Sequence, residues 1–303
     1  MSGPGEPASR GLANQTNTVS GPGEPAAGRC DLTAPIAAWQ GPVLVTGTDT
    51  GVGKTIVAAA IAATARAAGL RVAVVKPAQT GADDDTGTVS RLASPATVTT
   101  LRRYPAPLAP LTAARVAGLP PLELDAVIDA VRALAQDHDL VLVEGAGGLL
   151  VPMGAHPRSG APWTVADLAE AHGLPTVVVV RPDLGTLNHT ALTVEALHHR
   201  SVPAVLVVGS WPRHPELVHH TNLEDLAEIA PLVGRVPAAA GQRPPEEFQA
   251  AAPEWFTSSG APGTPGQAGR ATTLGVSRQD RRTTSVSGMR NDRLSGQQGA
   301  RTT

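Results

Sequence analysis

Cysteine is all but missing from these 303 residues: Cys30 is the only one. One thiol excludes a disulfide framework or a cysteine metal site within a single chain, and it fits a reducing, cytoplasmic setting. Long apolar runs are lacking too. None approaches the about 20 residues needed to cross a bilayer, and the β-branched Thr176–Val180 stretch reads as a buried strand. Apolar periodicity fails at both ends of the chain. Ser2-Gly-Pro-Gly-Glu-Pro-Ala8 recurs as Ser20-Gly-Pro-Gly-Glu-Pro-Ala26, so residues 1–40 read as a disordered low-complexity arm, too polar for a signal peptide. Residues 258–303 are rich in Gly, Ser, Thr, Gln and Arg and read as a disordered tail. From Ala261 onward that tail carries seven Arg against two Asp, although the whole chain has a formal charge of −2. The basic surplus therefore sits where no helical face exists to present it, which argues against a nucleic-acid partner.

What remains, residues 41–257, has the periodicity of one large α/β domain. Its centre is Val43-Leu-Val-Thr-Gly-Thr-Asp-Thr-Gly-Val-Gly-Lys-Thr55. A short apolar strand runs into a Gly- and Thr-rich turn and then an Ala-rich helix, the order of a phosphate cradle. In such a turn the backbone N–H groups of Gly51, Val52 and Gly53 converge, and the helix N-terminus adds partial positive charge. Lys54 reaches the outer phosphates, and Thr55 offers its hydroxyl to magnesium. The pattern is a variant, because Thr48 stands where the common loop has its first glycine. Asp49 puts a carboxylate beside the phosphates, a placement that a second, positively charged or metal-bound ligand group nearby would explain, which hints at the substrate.

Three further strand ends carry chemistry. Residues 71–75 form an apolar run leading to Lys76, placed beside the phosphate strand where open α/β sheets bind ligands. Asp83, Asp84 and Asp85 follow, with magnesium duty for one of them or a solvated helix start as the two readings. Residues 94–121 hold many prolines and little periodicity, and read as an excursion over the binding face. Residues 122–136 return to helical spacing, and residues 139–143 form a strand ending in Glu144. A carboxylate there, followed by glycines, is placed to hold magnesium opposite Thr55. Thr164 and Asp167 mark a helix start of the capping-box type. Asn188 and His189 begin a later helix at the ligand-facing edge. Residues 203–208 form a strand, 223–229 a helix and 232–236 a short strand. Phe248, Trp255 and Phe256 pack a closing helix on the core.

The conjunction of Gly47-Thr-Asp-Thr-Gly-Val-Gly-Lys-Thr55, Lys76-Pro-x-x-Thr-Gly81, Glu144-Gly-Ala-Gly-Gly148 and Gly185-Thr-Leu-Asn-His189 resembles dethiobiotin synthetase. The resemblance implies a three-layer P-loop NTPase fold, with a mostly parallel central sheet and helices on both faces. It implies a carbon–nitrogen ligase that takes 7,8-diaminopelargonate, carbon dioxide and ATP with Mg2+ and closes the ureido ring of dethiobiotin, releasing ADP and phosphate. Carried onto matching positions, it makes Lys76 and Lys54 catalytic and gives the metal to Thr55, Asp85 and Glu144. Gly51 to Ile56 and Glu144, Gly145, Ala146 and Gly147 would line the nucleotide. Thr48 and Thr80 would contact the substrate amine or carbamate. Gly185 and Asn188 would reach the substrate of the partner subunit in a homodimer. Gly209 and Ser210 stand where many members carry an Asn-Asp pair that reads adenine, and Pro237, Ala238 and Ala239 are the other segment expected at the base. Two rival readings are a partition-type ATPase, which would need a basic or amphipathic helical face, and an amide-forming ligase. The latter lacks a cysteine outside the arm to act as glutaminase nucleophile, so it would need free ammonia or a partner.

Overall fold

The structure is a computed structural model that describes residues 30–256. Seven parallel strands make the central sheet: β1 (Gly41–Gly47), β2 (Val72–Thr80), β3 (Thr97–Tyr104), β4 (Leu140–Glu144), β7 (Thr176–Val180), β8 (Ala204–Trp211) and β9 (Leu232–Pro237), in the order β3-β2-β4-β1-β7-β8-β9. A two-stranded hairpin, β5 (Gly154–Ala155) and β6 (Pro162–Trp163), lies apart from it. Parallel strands need crossovers, and helices supply them: α1 (Lys54–Ala67), α2 (Asp85–Ala93), α3 (Pro110–Ala117), α4 (Leu124–Asp137), α5 (Val165–His172), α6 (Thr186–His198), α7 (Leu217–Ile229) and α8 (Pro245–Ala251).

Both faces of the sheet are covered, which is why its inner strands read as continuous apolar runs. Successive residues alternate between two cores. Val43, Val45, Val72, Val74, Leu140, Leu142, Val177 and Val179 join the core that holds α1, α2 and α8. Leu44, Ala73, Val75, Val141, Val143, Val178 and Val180 join the core that holds α3, α4 and α5. Helix α1 is buried on almost every side, from Val57 to Ala63 without a break, because it is wedged between the sheet, α2 and α8. Its many alanines let those elements approach closely. The capping box opening α5 is formed: the Thr164 N–H donates to Asp167 Oδ2 at 2.7 Å and the Asp167 N–H to Thr164 Oγ1 at 3.4 Å. Phe248 is fully buried and meets Trp255 edge-on at 5.1 Å, closing the first core as expected.

Four expectations are revised. The strand bearing Lys76 does not adjoin the phosphate strand, since β4 lies between them, and it does not end at residue 75 but runs on through Pro77 to Thr80, paired with β3. The proline-rich excursion contains β3, an edge strand whose residues are mostly half-exposed, with Arg102 and Arg103 facing solvent. An edge strand lacks the apolar run that betrays an inner one. Helix α7 starts six residues before the expected 223, because its first turns carry only the exposed Leu217 and the half-buried Val218 as apolar residues before the polar 219–222 stretch. The arm was drawn to end at residue 40, yet Leu32, Ile36 and Trp39 are buried in the first core, with Ile36 in a short 3-10 turn that contacts α1. The repeated segment before residue 30 and the basic tail lie outside the described residues. Among the described residues no helix is long and apolar enough to cross a membrane.

Candidate active site

All seven strands run the same way, so the loops after β1, β2, β4, β7, β8 and β9 share one rim. The loop after β1 is held in shape by left-handed glycines, Gly51 at φ 74° and Gly53 at φ 98°, conformations that side chains with a Cβ resist. None of the N–H groups of Gly51, Val52 and Gly53 finds an acceptor among the described residues. These donors and the start of α1 suit an anion. Lys54 is buried at the mouth of the loop, and its Nζ donates to the Asp49 backbone carbonyl at 2.8 Å.

Because β4 sits between β1 and β2, Glu144 lies midway between what the two strands carry. Its Oε1 accepts from Thr55 Oγ1 at 2.8 Å and from Lys76 Nζ at 2.7 Å. Lys76 Nζ also meets Asp85 Oδ2 at 2.6 Å and the Gly145 carbonyl at 3.3 Å. Lys76 and Glu144 are nearly inaccessible, at 4% and 1% exposure, whereas the Asp85 side chain keeps 26%. Of the three neighbouring acids, only Asp85 reaches Lys76. Asp84 is turned away by Arg103 at 3.1 Å, whose hydrogen bond holds its carboxyl below the usual range.

The two lysines are tuned in opposite directions. Burial is the largest influence on Lys76 and favours the neutral amine, yet Glu144 and Asp85 together outweigh it and raise its pKa above 10.5. Lys76 therefore stays an ammonium at neutral pH. Burial, reinforced by repulsion from Lys76, lowers Lys54 to about 8, with Glu144, Asp85 and Asp49 opposing the shift. Charging Lys54 thus costs folding free energy at neutral pH, a cost relieved as pH rises from about 8 towards 10.5. A polyphosphate needs the charged form. Nucleotide affinity measured by calorimetry is expected to be flat up to about pH 7, then to fall about tenfold per unit once pH passes the Lys54 pKa of about 8, until the raised pKa of the bound state is reached. Lys54→Arg should flatten that limb.

The remaining expected residues are spread along the rim. Thr48 donates its N–H to Val179 O at 3.1 Å, and a Cβ built on Gly148 would lie 3.5 Å from the Thr48 carbonyl, so the turn of Gly145, Ala146 and Gly147 runs close to the phosphate loop. Ile56 packs beneath Gly241. Thr80 ends β2, half-buried. Gly185, at φ 94°, and Asn188 open α6 and are exposed, apart from the Lys76 cluster. Pro237, Ala238 and Ala239 line a cleft of about 370 Å³ with Arg213, Gln242 and Arg243. Gly209 and Ser210 part company: Ser210 is exposed, but Gly209 is buried against the phosphate loop, where an added Cβ would stand 1.9 Å from the Val52 carbonyl. Gly209 thus permits close approach of the phosphate-loop backbone.

Two features of the rim were not anticipated. Arg91, on α2, donates to the Gly241 carbonyl at 2.8 Å and so ties the helix bearing Asp85 to the loop lining the cleft. Arg181, just past β7, pairs with Asp49 at 2.8 Å, so the positive group beside Asp49 in this structure is a protein side chain where the sequence had suggested a ligand. An arginine directly after a buried apolar strand was the available signal.

Comparison with known proteins agrees with this geometry. A family profile described as an AAA domain matches residues 42–245. The ATP-dependent dethiobiotin synthetase BioD of Rhodococcus jostii (strain RHA1) is 51% identical over 224 residues, covering 72% of this chain and 95% of that protein. The protein of the same name from Streptomyces avermitilis is 50% identical, with 71% and 91% covered. Among solved structures, the septum site-determining protein MinD complexed with Mg-ADP from Pyrococcus horikoshii OT3 aligns with a TM-score of 0.46 at 15% identity, covering 70% of this chain and 94% of that one. The parallel sheet, its phosphate loop and identities near one half across nearly the whole length of the relatives lead to one conclusion: the chain belongs to the ATP-dependent dethiobiotin synthetase family, carbon–nitrogen cyclo-ligases of biotin biosynthesis.

Proposed function

We propose that the chain carboxylates 7,8-diaminopelargonate with carbon dioxide, or bicarbonate as its source, and closes the ureido ring at the expense of ATP. The observation that carries this reading is the single Glu144 oxygen shared by Thr55 and Lys76, which joins a phosphate loop to a buried permanent cation. One substrate amine adds to carbon dioxide to give a carbamate and a proton. The carbamate oxygen then attacks the γ-phosphorus, ADP leaves, and a carbamic-phosphoric anhydride results. The second amine attacks the carbonyl carbon, and inorganic phosphate departs as the ring closes.

Each stage concentrates negative charge between the phosphate loop and the end of β2, and preorganised cations there are worth more than the same charges in water. Lys76 acts as a fixed ammonium on the carbamate and transferred phosphoryl oxygens, because its partners keep it protonated. Lys54 serves the β- and γ-phosphates. Thr48 and Thr80 offer hydroxyls to the carbamate and the amine.

The residues suit magnesium. Thr55, Asp85 and Glu144 form a hard-oxygen donor set, and the two carboxylates already share one cation, the Lys76 ammonium, at 2.6 and 2.7 Å. Among the described residues no group of three or more His, Cys, Asp or Glu side chains could hold a metal alone, so the nucleotide and water would complete the shell. Magnesium, when bound, supplies charge neutralisation on the phosphate oxygens.

The substrate is read as lying across a homodimer, with Gly185 and Asn188 serving the partner's site. Supporting this, Leu184 beside Gly185 is 88% exposed, and Leu192 and Leu217 on α6 and α7 also face solvent, an apolar surface that a second copy would cover. The test is phosphate release by the purified full chain with MgATP. Release is expected to rise only when the diamine and bicarbonate are both present, with dethiobiotin appearing in equal amount by mass spectrometry. Release that ignores the diamine would refute the assignment.

A further inference from the structure

The phosphate loop carries a negative side chain, Asp49, in a place where a triphosphate must come close. Four contacts meet there. Arg181 Nη2 donates to Asp49 Oδ2 at 2.8 Å and to the Thr50 carbonyl at 3.2 Å. The Thr50 N–H donates to Asp49 Oδ1 at 2.7 Å. The Asp49 carbonyl receives Lys54 Nζ. Both side chains of the ion pair are about half exposed, so the pair contributes little to stability and its placement needs another reason.

Two physical consequences follow from those contacts. First, the guanidinium offsets the carboxylate of the phosphate loop itself, which would repel an arriving polyanion. Second, a trans peptide points its carbonyl and its N–H in opposite directions. Holding the Thr50 carbonyl on the Arg181 side therefore turns the Gly51 N–H to the other side, and that N–H is one of the loop donors without an acceptor among the described residues. We infer that Arg181 is a positioning residue for the nucleotide, cancelling Asp49 and orienting the Thr50–Gly51 peptide so that the loop accepts a triphosphate. Arg181 acts through the loop and touches no reacting atom. The inference rests on reading residues 47–55 as the phosphate site.

The test is calorimetric affinity of the full chain for MgATP, with melting temperature recorded for every variant. Arg181→Ala should weaken binding about tenfold, and Arg181→Lys, which keeps the charge but loses the fork, about threefold. Asp49→Asn retains the Oδ1 acceptor for the Thr50 N–H and removes the repulsion, so it should bind about twofold tighter. The double variant Arg181→Ala/Asp49→Asn should recover to within about threefold of the parent. The Arg181→Ala effect should narrow as salt rises, because the charges are exposed. A purely structural pair gives another pattern: Asp49→Asn and Arg181→Ala weaken binding alike and melt early together, and that result overturns the inference. Lys54→Ala separates the two layers. If it weakens binding strongly while Arg181→Ala is silent, only the role of Arg181 falls; if both are silent, the phosphate site and the inference fall together.

Discussion

Lys76→Ala is expected to lower turnover about a thousandfold while changing MgATP affinity less than about threefold, measured by phosphate release under saturating substrates and by calorimetry. The asymmetry follows from position. Lys76 lies midway along β2, just past its pairing with β4 and one strand removed from the phosphate strand, and its ammonium is held by Asp85 and Glu144 rather than by the phosphate loop. In the mechanism proposed above its charge is used where the carbamate is phosphorylated, so its loss should be felt mainly in the transition state. Two side effects identify the cause. Taking one partner from a buried ion pair leaves Glu144 uncompensated, so stability should drop by about 3 kcal/mol. Removing the repulsion that depresses Lys54 should shift the alkaline limb of nucleotide binding upward from about 8. Unchanged turnover would remove Lys76 from the mechanism.

Gly209→Ala is expected to weaken nucleotide binding about a hundredfold, although the new methyl group touches no nucleotide. The added Cβ would stand 1.9 Å from the Val52 carbonyl and 2.7 Å from Val179 Cγ1, and the first of these atoms is backbone of the phosphate loop itself. Backbone cannot swing aside as a flexible side chain does, so the loop must shift by about 1 Å, enough to spoil converging donors. The reverse face of the contact is tight too, though less so, since a Cβ on Gly53 would lie 2.8 Å from the Gly209 carbonyl. Nucleotide affinity within threefold of the parent would show that the loop tolerates the shift.

Much of this was readable from the chain. The inner strands betrayed themselves because both faces are covered, the phosphate loop and Glu144 because glycines or a charge end an apolar run, and Lys76 because a charge interrupts one, although its strand runs on to Thr80. Thr164 and Asp167 announced α5 through a local hydrogen-bond pair that needs no tertiary context. What stayed hidden depends on neighbours. The half-exposed β3 has no apolar run, and its pairing to β2 is non-local. The insertion of β4 between β1 and β2 is a matter of strand order, which no local pattern encodes, and with it went the sharing of one Glu144 oxygen by Thr55 and Lys76. The packing of Gly209 against the phosphate loop stayed hidden because a sequence cannot show how near Val52 comes. Arg181 and Asp49 lie 132 positions apart, and only the fold makes them neighbours.

The matched family profile begins at residue 42, yet the fold begins earlier. Trp39 is fully buried, with its Nε1 donating to the Ala34 carbonyl at 2.9 Å, and Leu32 and Ile36 share its cluster with the alanines of α1, the helix whose first residue is Lys54. A truncation placed at the profile's edge would strip a plug from behind the catalytic helix, opening a void of indole size in a close-packed wall. Expression boundaries for this chain therefore belong upstream of Cys30.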